Sequence, residues 1–181
     1  MKKVFVSVAV VLASVAAFAG KVITPMHVVE KSSYQLAGLV SKGKIDASYL
    51  TDVTTVEVTQ ESGGFRVKMY SPSADESNPN TLEMTFDQAG KATSASANFV
   101  SRFPHGPLLD GANAATILDL GAEAIVDHLS ESADNVVVAQ SVQSVEIQKE
   151  ATGVLFLVNL NNGQTYSIHM DQDGKVISQG F

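Results

Sequence analysis

The chain contains no cysteine. That excludes disulfides, thiolate metal sites, thiol nucleophiles and redox exchange. The fold must instead be held by an apolar core, and a chain of this size buries roughly 68–70% of its unfolded surface. Positive charge is also scarce: 12 Lys and Arg stand against 19 Asp and Glu, a net charge of −7. Phosphate backbones and anionic lipid need a local excess of basic side chains, and no basic cluster is present, so neither nucleic acid nor a membrane surface is an expected partner. The acidic balance favours solubility. Beyond the first stretch, no apolar run approaches the roughly 20 residues that cross a bilayer.

That first stretch reads Met1-Lys2-Lys3 followed by small and apolar residues from Val4 to Phe18, with Ala17-Phe18-Ala19 as small residues at the end. A charged start, an apolar middle and an A-x-A site make a secretory signal peptide over 1–19, cleaved before Gly20. A membrane anchor is the competing reading; the run is short for it, and no cysteine follows to carry a lipid. Removal of Lys2 and Lys3 takes the net charge from −7 to −9. The expected location is the periplasm or the exterior.

Two stretches of the remaining chain match each other. Asp52-Val53-Thr54-Thr55-Val56-Glu57-Val58 aligns with Ser141-Val142-Gln143-Ser144-Val145-Glu146-Ile147 at an offset of 89, which also carries Glu61 onto Glu150 and Gly64 onto Gly153. Met84 to Lys91 aligns with Ile168 to Lys175 at an offset of 84. The difference falls in a loop, 71–80 in the first copy and the tight Asn161-Asn162-Gly163 in the second. Upstream, Thr24-Pro25 falls on Asn113-Ala114, a helix N-cap followed by a first-turn residue. Paired apolar residues then recur at helical spacing: Val28 with Ile117, Val29 with Leu118, Leu36 with Ile125, Ala37 with Val126, Val40 with Leu129. The spacing predicts helices over 25–41 and 114–130.

Period-two alternation follows each helix. Phe65, Val67, Met69, then Leu82, Met84, Phe86 point to one side in the first copy; Val154, Phe156, Val158, then Tyr166, Ile168, Met170 do so in the second. Such strands form a sheet with one buried face, covered by the helix stripe. Asn162-Gly163 is a hairpin turn, and Asp87–Gly90 and Asp171–Gly174 turn into a last strand in each copy. Pro104-His105-Gly106-Pro107 marks a linker. The expected fold is α+β, a tandem repeat of one helix on a small antiparallel sheet: signal peptide 1–19, first repeat 20–102, linker 103–112, second repeat 113–181. Whether the two sheets join is open.

Candidate chemistry is thin. Asp171-Gln172-Asp173-Gly174 has calcium-loop flavour, but an EF-hand needs further oxygen ligands and a Glu at position twelve; a plain β-turn fits better. His27, His105, His128 and His169 show no metal-ligand spacing. Serines occur without a Gly-x-Ser-x-Gly elbow, and Asp75-Glu76 lies in a polar loop, where carboxylates make poor general acids. No enzyme activity, cofactor or metal is expected. The outward strand faces hold more. Arg66, Lys68 and Tyr70 stand beside Glu57 and Glu83 as cross-strand pairs. In the second copy Leu155 and Leu157 replace Arg66 and Lys68, with His169 nearby. Two leucines on a polar face imply a cover: the linker, Phe103 or the other copy, or else an external partner. Loop 71–80 is either a further contact or a solvated insert.

The stretch Gly163-Gln164-Thr165-Tyr166-Ser167-Ile168-His169-Met170-Asp171-Gln172-Asp173-Gly174-Lys175-Val176 resembles the C-terminal half of a PepSY domain, which ends in a strand, an Asp-x-x-Gly-Lys turn and a short strand. The tandem layout is similar to PepSY-like, beta-lactamase-inhibitor-like exported proteins. The first copy departs from it at Ala89 and Ala92 and in its long loop. The resemblance implies binding to, and in some members inhibition of, another exported protein such as a peptidase. With it, Leu155, Leu157, His169, Arg66, Lys68 and Tyr70 become the candidate binding residues. The alternative is a small-ligand carrier with its pocket between helix and sheet, although the apolar filling of the inward faces leaves little room for one.

Overall fold

The computed structural model describes residues 23–75, 77–101, 108–109, 111–130 and 140–181. The expected signal segment 1–19, His105 and Phe103 lie outside the described residues, as do the side chains of Val126, His128 and Leu129.

Helix α1 spans Pro25–Ser41. Thr24 closes its N-terminus as a capping box: its hydroxyl accepts from the His27 amide, and His27 Nδ1 accepts from the Thr24 amide at 3.3 Å. A cap of this kind contributes about 1 kcal/mol. Pro25 costs nothing at the first position, where its missing N–H would have no helical partner. Helix α3, Ala114–Ser130, begins similarly, with Asn113 Oδ1 accepting from the Thr116 amide at 3.1 Å. Val28, Val29, Leu36, Ile117, Leu118 and Ile125 are all buried. Ala37 is exposed and Val40 half-buried, so the expected stripe is displaced there. Successive residues turn by about 100°, and the buried row runs 28, 29, 32, 33, 36. Ser32 and Ser33 complete it because their hydroxyls donate back to Val29 and Glu30 carbonyls at 2.7 and 2.6 Å, which removes the cost of burying them. Between α1 and the first strand lies a short turn of helix, α2, Tyr49–Asp52.

The strands are β1 Thr55–Glu61, β2 Gly64–Ser71, β3 Asn80–Asp87, β4 Ala92–Asn98, β5 Val142–Glu150, β6 Gly153–Leu160, β7 Thr165–Asp171 and β8 Val176–Gly180. They form one eight-stranded sheet in the order β4-β3-β2-β1-β5-β6-β7-β8, antiparallel throughout. The two halves therefore do join, through three pairs at the centre: Thr55 with Glu146, Val56 with Val145 and Glu57 with Ser144. Helices α1 and α3 pack against each other and cover one face. All twelve side chains expected to point inward are buried, and one apolar core runs across both halves. The described part of the expected linker is drawn into it: Leu108 and Leu109 are buried.

Both Asp-x-x-Gly-Lys turns are built alike. The Asp87 carboxylate accepts from the Ala89 and Lys91 amides, each at 2.9 Å. That of Asp171 accepts from the Asp173 and Lys175 amides at 3.0 and 2.9 Å. Gly90 and Gly174 supply φ of 71° and 80°, which L side chains rarely adopt. The carboxylates serve their own loops, which accounts for the recurring motif without a cation.

Tyr49 ties α2 to the sheet. Its hydroxyl donates to the carbonyls of Thr81 and Asn98, both at 3.1 Å, and the residue is 1% exposed. Desolvation, with Asp46 adding to it, raises the phenol to about 12. A phenol whose folded value is raised stabilises the fold fully below its unfolded value near 10 and loses that contribution as pH climbs through 12. Tyr49→Phe is expected to cost about 1–2 kcal/mol at neutral pH through lost hydrogen bonds. Between pH 10 and 12 the parent should lose about 2 kcal/mol that the variant keeps, so the deficit should vanish or reverse sign. Urea unfolding at stepped pH measures this; a constant deficit would refute it.

Candidate functional site

The face opposite the helices carries the candidate residues. In an antiparallel ladder, directly paired residues share a face, so the register places them. Arg66, Lys68 and Tyr70 on β2 lie opposite Thr59, Glu57 and Thr55 on β1, and opposite Thr85, Glu83 and Thr81 on β3. Leu155 and Leu157 on β6 lie opposite Gln148 and Glu146 on β5, and opposite His169 and Ser167 on β7. The fold thus puts all six on one face, in two groups on either side of the β1–β5 seam.

The first group is a polar lattice. Arg66 Nη2 lies 2.8 Å from Glu61 Oε1, and its Nε lies 3.8 Å from Glu83 Oε1. Glu61 was not among the partners expected from the sequence; it closes the β1–β2 hairpin opposite Gly64, so its long side chain reaches Arg66 diagonally. Both bridges are 41–49% exposed, and such pairs contribute about 0–1 kcal/mol. The Tyr70 hydroxyl donates to Glu57 Oε2 at 2.8 Å, while Lys68 Nζ sits 4.9 Å from the Tyr70 ring centroid. Partial burial, then the bond to Glu57, raises the Tyr70 phenol. The Tyr70 hydroxyl, followed by the carboxylates of Glu57 and Glu83, raises Lys68. Lysine stays cationic and tyrosine neutral across the physiological range.

The second group is apolar within a polar frame. Leu155 and Leu157 are half-buried although neither helix lies on their side of the sheet. His169 Nδ1 lies 3.4 Å from Glu150 Oε2. Asn159, one step along β6, donates to Ser144 Oγ at 3.2 Å and Glu146 Oε1 at 3.0 Å, and accepts from Thr165 at 2.9 Å. The leucines are thus flanked by side chains already engaged with one another. Among the described residues the first half does not cover them, contrary to one expectation: its strands continue the sheet in plane beside them.

Loop 71–80 is anchored rather than loosely solvated. Asn80, 2% exposed, donates to the Pro72 and Ser101 carbonyls and accepts from the Val100 and Ser101 amides. Ser73 binds the carbonyls of Asp75 and Asn78. Nothing in the composition of the loop singles out Asn80 as its anchor.

Among the described residues, no group of three or more His, Asp or Glu is placed to hold a metal ion, and no helix is long and apolar enough to cross a membrane. No family model and no curated protein matches the chain. Among solved structures, a crystal structure of a chain from Clostridium difficile 630, described on inference as a lipoprotein, aligns at a TM-score of 0.35 with 12% identity, covering 81% of this chain and 91% of that one. A likeness that weak assigns the chain to no family.

Proposed function

We propose that this chain is an exported, non-enzymatic protein-binding module that presents the open face of its sheet to another exported protein in the periplasm or outside the cell. The observation that supports it is the pair Leu155 and Leu157, side by side on a face that no described element covers. An antiparallel sheet with one wet face normally alternates apolar and polar strictly. On β6 that alternation fails, while on β2 it holds at the equivalent positions Arg66 and Lys68. Two leucines framed by Glu146, Gln148, Ser167 and His169 make the apolar centre and polar rim of a contact surface. Arg66, Lys68 and Tyr70 extend it across the seam with both charge signs and an aromatic ring.

The PepSY resemblance adds inhibition of the partner, with a peptidase as the implied class. It fits a tandem duplication of the chain, a reading supported by the equivalent caps at Thr24 and Asn113, the equivalent turns at Asp87 and Asp171, and the pairing of Val56 with Val145, which the 89-residue offset also equates. The carrier alternative would put its ligand between helices and sheet, where the twelve inward side chains are packed.

The test is a pull-down from envelope extract of the source cells with the immobilised protein and with Leu155→Asp/Leu157→Asp, after circular dichroism shows both folded. The expected result is a protein retained by the parent and reduced at least about tenfold on the variant, a loss of about 1.4 kcal/mol. Equal retention by both, or none by either, would count against this face.

A further inference from the structure

The open edge of the sheet at β4 differs from the face just described, and its features are independent of it. Sheet edges in native proteins are blunted by charge, proline, shortness or a cover, because an edge strand offers unpaired N–H and C=O groups to any passing strand. β4, Ala92-Thr93-Ser94-Ala95-Ser96-Ala97-Asn98, has neither charge nor proline, and every residue after Ala92 is exposed. Its one irregularity is a bulge at Thr93. From Ser94 to Asn98 it pairs with β3 without interruption, so the edge is straight over five residues.

A cleft runs along the helix side of this edge. Ala95 and Ala97 pair with Met84 and Leu82 and share their inward face. Because they are so small, and because α1 ends before reaching β4, a space of about 440 Å³ opens over them, walled by Leu39, Ile45 and Leu82 and bordered by Lys44. An apolar trough beside a free strand edge is the arrangement by which an extended peptide docks as an added strand: main-chain hydrogen bonds hold it, and alternate side chains fill the trough.

We propose that β4 and this cleft bind an extended peptide segment of another protein as a ninth strand, with large apolar side chains at alternate positions and a carboxylate at the Lys44 end. Two observations select that occupant over a second copy of this chain. A second copy would bring its own alanines and serines, which leave the trough unfilled. It would also bring a further net charge of −7. Lys44, by contrast, forms no ion pair among the described residues and stands at the cleft in an acidic protein, so a carboxylate is its complement.

The experiment uses an array of seven-residue peptides, acetylated at the N-terminus and free at the C-terminus, with threonine alternating with Leu, Ile, Val or Phe. Binding of fluorescent versions to the purified protein is read by anisotropy. The expected result is saturable binding that N-methylation of alternate peptide nitrogens weakens at least about tenfold, a change of about 1.4 kcal/mol. Ala95→Leu/Ala97→Leu, which fills the trough from exposed positions, should weaken it as much, and Lys44→Glu should remove the preference for a free carboxylate. On the unaltered protein, bound peptide should slow amide exchange along Ser94–Asn98, a readout that stands even if a variant misfolds. No saturable binding, equal binding of N-methylated peptide, or unchanged exchange along β4 would overturn the proposal. A dimer in sedimentation that Ala95→Leu/Ala97→Leu abolishes would overturn it as well, since β4 would then be occupied by its own copy.

Discussion

Gly64→Ala is expected to destabilise the protein by about 3 kcal/mol or more, while Gly63→Ala, one residue away, changes stability by no more than about 0.5 kcal/mol. The two glycines share the β1–β2 hairpin but not its constraints. A Cβ on Gly63 would meet nothing within 4 Å. A Cβ on Gly64 would fall on the carbonyl oxygen of Phe86 across the β2–β3 ladder, and its φ of 148° is unsuited to an L side chain. The obstacle is backbone in a paired strand, so it cannot swing aside like a flexible side chain. Relief requires breaking the pairing of Gly64 with Asp87. Gly153→Ala should behave like Gly64→Ala, because a Cβ there would fall on the Met170 carbonyl oxygen at φ 156°. For a chain of this length, 3 kcal/mol corresponds to a melting temperature lower by about 6–12 °C. Urea titration of the three variants decides the matter. Equal small effects at positions 63 and 64 would mean that the β2–β3 pairing yields more readily than its register implies.

Phe156→Ala should cost about 3–5 kcal/mol. The ring is fully buried at the centre of β6 and holds α3 on the sheet. Gly121, in the middle of α3, faces this ring closely: a Cβ there would lie 2.8 Å from it. Glycine inside a helix costs about 1 kcal/mol relative to alanine, and the approach of the ring explains why it is present. Gly121→Ala alone should therefore destabilise, although alanine is the better helix former. Combined with Phe156→Ala it should become neutral or favourable, because the clash is gone and the helix gain remains. A double-mutant cycle should give a coupling of about 0.5–3 kcal/mol. Additive effects would show that helix and strand do not share this contact.

Much of the fold was legible because it follows from local patterns with strict periods. The N-caps at Thr24 and Asn113, the inward rows from Phe65 to Phe86 and from Val154 to Met170, and the turns at Asp87 and Asp171 each depend on residues close together in the chain. Ser32 and Ser33 were hidden because a serine in a helix reads as polar until its hydroxyl is seen bonded to the preceding turn. The joining of the halves was hidden for a different reason. The β1–β5 seam is three residue pairs long and joins segments nearly ninety positions apart, and nothing in Thr55-Val56-Glu57 distinguishes a central strand from an edge. Glu61 as the partner of Arg66 and Asn80 as the anchor of its loop likewise depend on contacts between strands. Of the candidate site, alternation was enough to put all six residues on the outward face, and the replacement of Arg66 and Lys68 by Leu155 and Leu157 was visible in the aligned copies. That the first half extends the sheet in plane, and so leaves those leucines without a cover from it, required the topology.

The absence of native cysteine makes the central claim directly measurable. Single substitutions Leu155→Cys, Leu157→Cys, Phe156→Cys and Val158→Cys each introduce a unique thiol, two toward the open face and two toward the helices. If the face is an uncovered binding surface, the thiols at 155 and 157 react with an aromatic disulfide reagent in the folded protein, while those at 156 and 158 react only when the protein unfolds. Protection at 155 and 157 equal to that at 156 and 158 would mean that the chain itself covers the leucines, and would contradict the account.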